Sequence, residues 1–410
     1  MTHPSDKQDF TSVQFDPGAP GALTGLRVVD LSRVVAGNML TAFLGDFGAD
    51  VVKVEPFRGD ALRDWKENDI SFHWKVYGRN KRSIALDPKT GEGRSILLSL
   101  LEKADVFVEN FRPGTLEKMG LAPTVLHGIN PNLLVARISG FGQTGPYAKL
   151  PGFGTLVEGM SGFASKNGFA DRAPLLPPLS LADMIAGVYG AAAVLAALHA
   201  RPAKGGQVID LSLLEPIFSI LGPDAAVYQR TGRVDERVGN RSNRSAPRNI
   251  YRCKDGRYVS MAASTQVMAE RVLRFVGPPG MADDPRFKTV AGRLAHIEEL
   301  DSLIGAWFQQ RSQTEALAEM RAADVTVGPI FDIADASGDA HFREREIIVN
   351  VEDPELGSIA VPNITPRLSK TPGAWRYPAP AIGQHSDEIL AELGFSHNQI
   401  DAFKRAGAIR

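Results

Sequence analysis

The sequence predicts an α/β protein with a large domain built on a parallel sheet and a second, smaller α+β unit. Three observations carry this prediction. Between residues 26 and 139 short apolar runs of strand length alternate with helical stretches, the pattern of repeated βαβ units. Beyond Arg233 the composition turns arginine-rich, and a hairpin signal at Lys254-Asp255-Gly256 is followed by helices to about residue 323. The length of 410 residues suits two or more folding units.

Taken in order, residues 1–20 have no apolar signal core and read as a loose tail, so a cytoplasmic protein is expected. Residues 26–31 form a strand that feeds the loop SRVVAGN, a helix is expected over 39–47, and 50–55 is a second strand ended by Pro56. The first loop lacks the three-glycine phosphate cradle, so nicotinamide binding is not supported. Arg79, Lys81 and Arg82 then cluster at the entrance of a strand, which suits a phosphate; a solvated charge run is the competing reading. A helix over 91–103 and a strand over 104–109 lead into Asn110-Phe111-Arg112-Pro113-Gly114, a loop at the carboxyl edge where parallel sheets bind ligands. After one more strand, 132–139, Gly140 to Gly145 spells G-x-G-x-x-G. Pro146 follows at once, so this is a flexible loop and no dinucleotide fingerprint.

Residues 184–200 are Ala-dominated and read as a buried core helix starting near Ser180, with Gly187 and Gly190 on one face to let another backbone approach. A membrane span is rejected, because the run is Ala-weighted with an acid at its head. Ser180-x-x-Asp183 has the spacing of a capping box, and the helix dipole is expected to keep Asp183 ionised. On its own residues Asp183 is a helix cap. A Gly-Gly turn, a strand over 208–214 and a linker helix follow. The small unit has strands over 249–251 and 258–262, residues 324–330 return toward the first unit, and 346–362 reads as antiparallel sheet. The closing helix, within 382–395, is capped by Ser386 or Asp387 and ended by Gly394.

Charge and cysteine content narrow the function. With 46 basic against 47 acidic residues, no global field marks nucleic acid or a membrane as partner. Cys253 is the only cysteine, which excludes an internal disulfide and a four-cysteine zinc site; no metal is expected, and the thiol reads as buried or incidental.

The segments GLRVVDLSRVVAG, ADVVKVE, GRNKRSIALD, VFVENFRPGTLEKMGL, RISGFGQTGPY, Asp183 before its helix, GGQVIDLSLLE and GQHSDEILAELG, in this order, resemble the class III coenzyme A transferases. That family includes formyl-CoA transferase, carnitine CoA-transferase and α-methylacyl-CoA racemase. The resemblance implies a doubly wound, Rossmann-like CoA-binding domain (21–218, completed by 346–410), linkers at 219–245 and 326–345, and a small α+β domain at 246–325. It also implies an interlocked homodimer. Coenzyme A and acyl-CoA are then substrates, together with a small carboxylic acid, and no cofactor is bound permanently.

In the transferases the acid at the Asp183 position is the nucleophile, passing through an aspartyl anhydride and an aspartyl-CoA thioester. Arg58, Arg79, Lys81 and Arg112 match positions near the CoA phosphates, and Arg137 is a further candidate there. Val35, Gly140, Phe153, Asn240 and Arg241 are expected to contact substrate. Three residues depart from the family pattern: Phe153 stands where the racemases carry a histidine, Gly154 where an aspartate is common, and Val35 where formyl-CoA transferase carries a glutamine. Phe153 moves no proton, so an acyl-CoA racemase is the disfavoured alternative, with a non-catalytic CoA-binding protein as another. The arginines from Arg237 to Arg252 suggest a second carboxylate on a substrate, because guanidinium and carboxylate pair in a fork; succinyl-CoA or a similar dicarboxyl-CoA is the expected donor. Domain packing and CoA phosphate contact are the competing uses of those arginines.

Overall fold

Six parallel strands form the frame that positions the site. The computed structural model describes residues 10–410 and begins with a short strand, β1 (Ser12–Val13). The frame consists of β2 (Arg27–Asp30), β3 (Asp50–Glu55), β4 (Lys81–Ala85), β5 (Val106–Glu109), β6 (Leu134–Ser139) and β7 (Val208–Ser212). Their order is β4-β3-β2-β5-β6-β7, with every neighbouring pair parallel. The chain winds outward one way from β2 and then the other way from β5, so the topological switch point lies between those two strands.

The strands are rich in Val and Ile because helices cover both faces. Alternate residues, Val29, Val52, Val54, Ile84, Phe107 and Val135, share one apolar core with Ile96, Leu97 and Leu100 and with Ile389 and Leu390 of the helix Ser386–Glu392, which a last helix, His397–Arg405, follows. Four helices matter for the argument: α1 (Ala36–Asp46), α2 (Gly91–Glu102), α3 (Gly154–Met160) and α4 (Leu181–Lys204). The first begins three residues before the expected start.

By length and composition α4 is apolar enough to cross a membrane. Here it packs on α1, β6 and β7. The two glycines make that approach possible: a Cβ added at Gly187 would stand 2.7 Å from the Met39 Cβ, and one at Gly190 would stand 2.5 Å from Leu40 Cδ1.

The chain separates into two units. One comprises the chain as far as Ser161, then Pro177–Gly222 and Ala340–Arg410; the other comprises Gly162–Leu176 and Pro223–Asp339. The second unit holds an antiparallel sheet of β8 (Arg248–Arg252), β9 (Tyr258–Ala262) and β10 (Val327–Pro329), in the order β10-β9-β8. Its core stacks Tyr251 on Phe308 and encloses Cys253.

Several sequence expectations change here. Residues 162–176 belong to the second unit, tied to it by the Phe169–Val238 bridge and by Arg237, which donates to the Phe169 and Arg172 carbonyls. The stretch read as returning toward the first unit is instead β10. The linker helix after β7 is two short helices, Leu214–Ser219 and Asp224–Thr231.

In the first unit β11 (Ile348–Asp353) and β12 (Gly357–Pro362) form a hairpin, and β1 pairs parallel to β11. Residues 10–20 are therefore no loose tail: Phe10 is buried and Phe15 packs edge-on against Trp375. The part of that expectation falling on residues 1–9 lies outside the described residues.

Candidate active site

At the carboxyl edge of the sheet, loops leaving β2, β5, β6 and β7 and the start of α4 enclose a cavity of about 950 Å³. All of its lining residues belong to the first unit. The loops are locked together across the switch point. Asn110 donates from Nδ2 to the Arg33 carbonyl at 2.7 Å and accepts the Arg33 N–H at 2.9 Å. Val34 is held at φ +66°, a costly conformation for a β-branched residue. Asp60 accepts its N–H at 2.9 Å, and Asn38 donates to its carbonyl at 2.7 Å.

Asp183 enters this cavity as the third residue of α4. The expected capping box is absent: Ser180 makes no side-chain cap bond, and the first-turn N–H of Ala182 goes instead to Oε1 of Glu158, at 3.1 Å. The Asp183 carboxylate lies against the start of α3, where a Cβ on Gly154 would come within 2.1 Å of its Oδ2. The bare glycine makes the room. Burial, reinforced by the charge of Glu158, pushes the Asp183 carboxyl up to about 6, against the low value expected from the helix dipole alone. At neutral pH it is mostly ionised, desolvated and more basic than an ordinary carboxylate.

Val35, Gly140, Phe153 and Arg112 line the same cavity as Asp183. The other cations do not. Lys81 is completely buried, its ammonium 3.3 Å from Asp30 and donating to Asn38 Oδ1 at 2.8 Å, so it is closed to a phosphate. Arg79 pairs with Asp46 through both Nε and Nη2, and Arg137 is held by Glu109 and Glu117. The basic run is structural because β4 crosses the buried sheet and its side chains meet acids from neighbouring elements. Arg58 is exposed and outside the cavity lining.

Asn240 and Arg241 belong to the second unit, where Arg241 pairs with Glu298 and Asp301. Arg237, Arg244 and Arg248 are likewise engaged within their own unit, with backbone carbonyls or with Asp224.

Arg33, Trp65 and His73 line the cavity although they were not singled out by sequence. Arg33 projects over the Phe111 ring, 5.1 Å from its centroid, and His73 packs edge-on against Trp65. Arg33 and Arg112 make no side-chain ion pair among the described residues, which sets them apart from the cations of the basic run. Position at the end of a parallel strand was the available signal for Arg33.

The family model for CoA-transferase family III matches residues 23–386. The chain is 40% identical to a succinyl-CoA–D-citramalate CoA-transferase of Chloroflexus aurantiacus, over 91% of this chain and 94% of that one. It is 35% identical to a succinate–glutarate CoA-transferase of Agrobacterium fabrum, over 92% and 97%. A CAIB/BAIF family protein from Brucella suis, of known crystal structure, superimposes with a TM-score of 0.80 at 33% identity, covering 91% of this chain and 100% of that one.

Proposed function

The chain belongs to CoA-transferase family III and is a CoA transferase; on that premise we propose that Asp183 carries the CoA between two acids, with a dicarboxyl-CoA as donor. A carboxylate oxygen of Asp183 attacks the thioester carbonyl and the C–S bond breaks, leaving a mixed anhydride and CoA thiolate. The thiolate attacks the aspartyl carbonyl, which releases the donor acid and leaves an aspartyl-CoA thioester. The acceptor carboxylate then attacks that thioester, and the thiolate returns to the acceptor's acyl carbon, freeing Asp183. Atoms and charge balance at each step.

The observation that carries this reading is a desolvated carboxylate in the lining of a cavity that also holds two guanidiniums, with no ion pair to any of the three among the described residues. Arg33 and Arg112 suit anions, whether CoA phosphate or the second carboxylate of a diacid. This reading moves the expected diacid contact away from Arg241. Phe153 remains in the lining with no proton to move, which keeps the racemase alternative disfavoured.

The test is trapping. With succinyl-CoA as donor, hydroxylamine treatment and peptide mass analysis should find a hydroxamate at Asp183. Label at another residue, or at none while turnover proceeds, sinks the assignment.

We also infer that the chain works as a homodimer. Val188 and Tyr189 on α4 and Phe218 and Ile220 just beyond β7 are exposed apolar side chains in one unit, a surface suited to a second copy. A monomer mass by light scattering at working concentration is the result that would refute this.

A further inference from the structure

Glu158 is a buried charge that the chemistry above does not use. It lies one turn into α3 from Gly154, is 2% exposed, and accepts the Ala182 N–H through Oε1. That amide belongs to the residue immediately before Asp183, so the link ties the head of α4 to α3 and turns the Glu158 charge toward the nucleophile. Among the described residues no cation pairs with it. A glutamine would accept the same hydrogen bond without the cost of burying a charge. The charge itself therefore needs a reason.

We propose that Glu158 is a positioning residue for Asp183, holding the first turn of α4 and, by like-charge repulsion, favouring the covalent intermediates over the free carboxylate. The proposal rests on Asp183 being the nucleophile. When the Asp183 oxygen bonds to the thioester carbon and the C–S bond breaks, the negative charge leaves on the CoA thiolate. In both the anhydride and the aspartyl-CoA thioester, Asp183 is neutral and the repulsion is gone. The same repulsion raises the basicity of the free carboxylate, which strengthens it as a nucleophile.

No other group on the packed elements plays this part. Glu215 is bonded to Ser212, Asp210 to the Gln143 amide, Arg137 to two glutamates and Asp46 to Arg79. The cavity itself adds Arg33, His73, Tyr77 and Arg112, none of them ion-paired with Asp183.

The test uses the full-length enzyme with Glu158→Gln and Glu158→Asp, both checked for a single cooperative unfolding transition. Glu158→Gln should move the acid limb of the kcat/KM profile below its parental midpoint. It should also lower the ratio of aspartyl-CoA thioester to free enzyme formed with succinyl-CoA, by about tenfold for each pH unit the limb moves. Glu158→Asp keeps the charge and should keep the limb. An adduct at Asp183 in the parent, with the acid limb and thioester fraction unaltered in Glu158→Gln, overturns this proposal alone. Absence of any Asp183 adduct in the parent overturns the nucleophile reading and this one with it.

Discussion

Two sets of buried charge are built into the first unit by opposite rules. Between β2, β3, β4 and α1, Asp30, Lys53, Asp60 and Lys81 are all at most 2% exposed, and the set balances two acids with two ammoniums. Ser32 and Thr41 supply further hydrogen bonds to Asp30. At the head of α4, Asp183 and Glu158 bring two like charges together, and Glu158 accepts the Ala182 N–H. The balanced set holds the sheet to α1 and fixes Val34; the unbalanced one is left reactive.

The difference shows in the direction of each titration. Burial alone would raise the Asp30 and Asp60 carboxyls, but Lys53, with Lys81 at Asp30 and backbone N–H groups at Asp60, holds both below the ordinary range. They stabilise the fold above the unfolded carboxylate range, and that stability is lost as pH falls. Asp183 has the reverse sign: with its folded value raised to about 6, its contribution is fully present below the unfolded value near 3.8 and is lost as pH rises through 6. A shift of about two units corresponds to roughly 3 kcal/mol given up at neutral pH.

The sharpest way to break this comparison is Asp183→Asn. Turnover should fall on the order of 10⁴-fold or more, while urea unfolding at pH 7 should show a gain of up to roughly 3 kcal/mol that vanishes near pH 4. Loss of stability at pH 7 would mean that the carboxylate is compensated after all.

The balanced set gives the opposite outcome. Lys53→Met leaves Asp30 and Asp60 short of a cation and should cost about 3 to 5 kcal/mol in urea unfolding at neutral pH. Gly154→Ala comes next: its Cβ would meet Asp183 Oδ2 and displace the nucleophile, so kcat should drop roughly 100-fold with little change in the unfolding midpoint. An unchanged kcat would show that α3 yields instead.

These contrasts also mark what the chain discloses about itself. The strands were legible because a sheet covered on both faces needs continuous Val and Ile runs, and Gly187 and Gly190 announced a close helix contact. Asp183 by its own neighbours was a cap, since Ser180 three residues earlier completes the capping pattern; what decides otherwise is Glu158, 24 residues before Ala182, taking the N–H. Lys81 misled for a similar reason. Its sequence neighbours are cations, whereas its spatial neighbours, Asp30 and Asn38, come from another strand and helix. Local spacing reports local partners, and burial of charge is decided by distant ones.

The smallest effect tests that lesson on the cations. Arg79 and Arg112 both matched the CoA phosphate positions, yet Arg79 is spent on Asp46 and Arg112 faces the cavity unpaired. Arg112→Ala should raise KM for the acyl-CoA donor, by the roughly 1.5 to 3 kcal/mol of a charged hydrogen bond. Arg79→Gln should leave that KM unchanged and cost stability alone, since Asp46 loses a buried guanidinium partner and retains only the Asn80 amide. If Arg79→Gln instead weakened donor binding as Arg112→Ala does, pairing would not separate structural cations from ligand cations, and the contrast between the two buried sets would lose its general force.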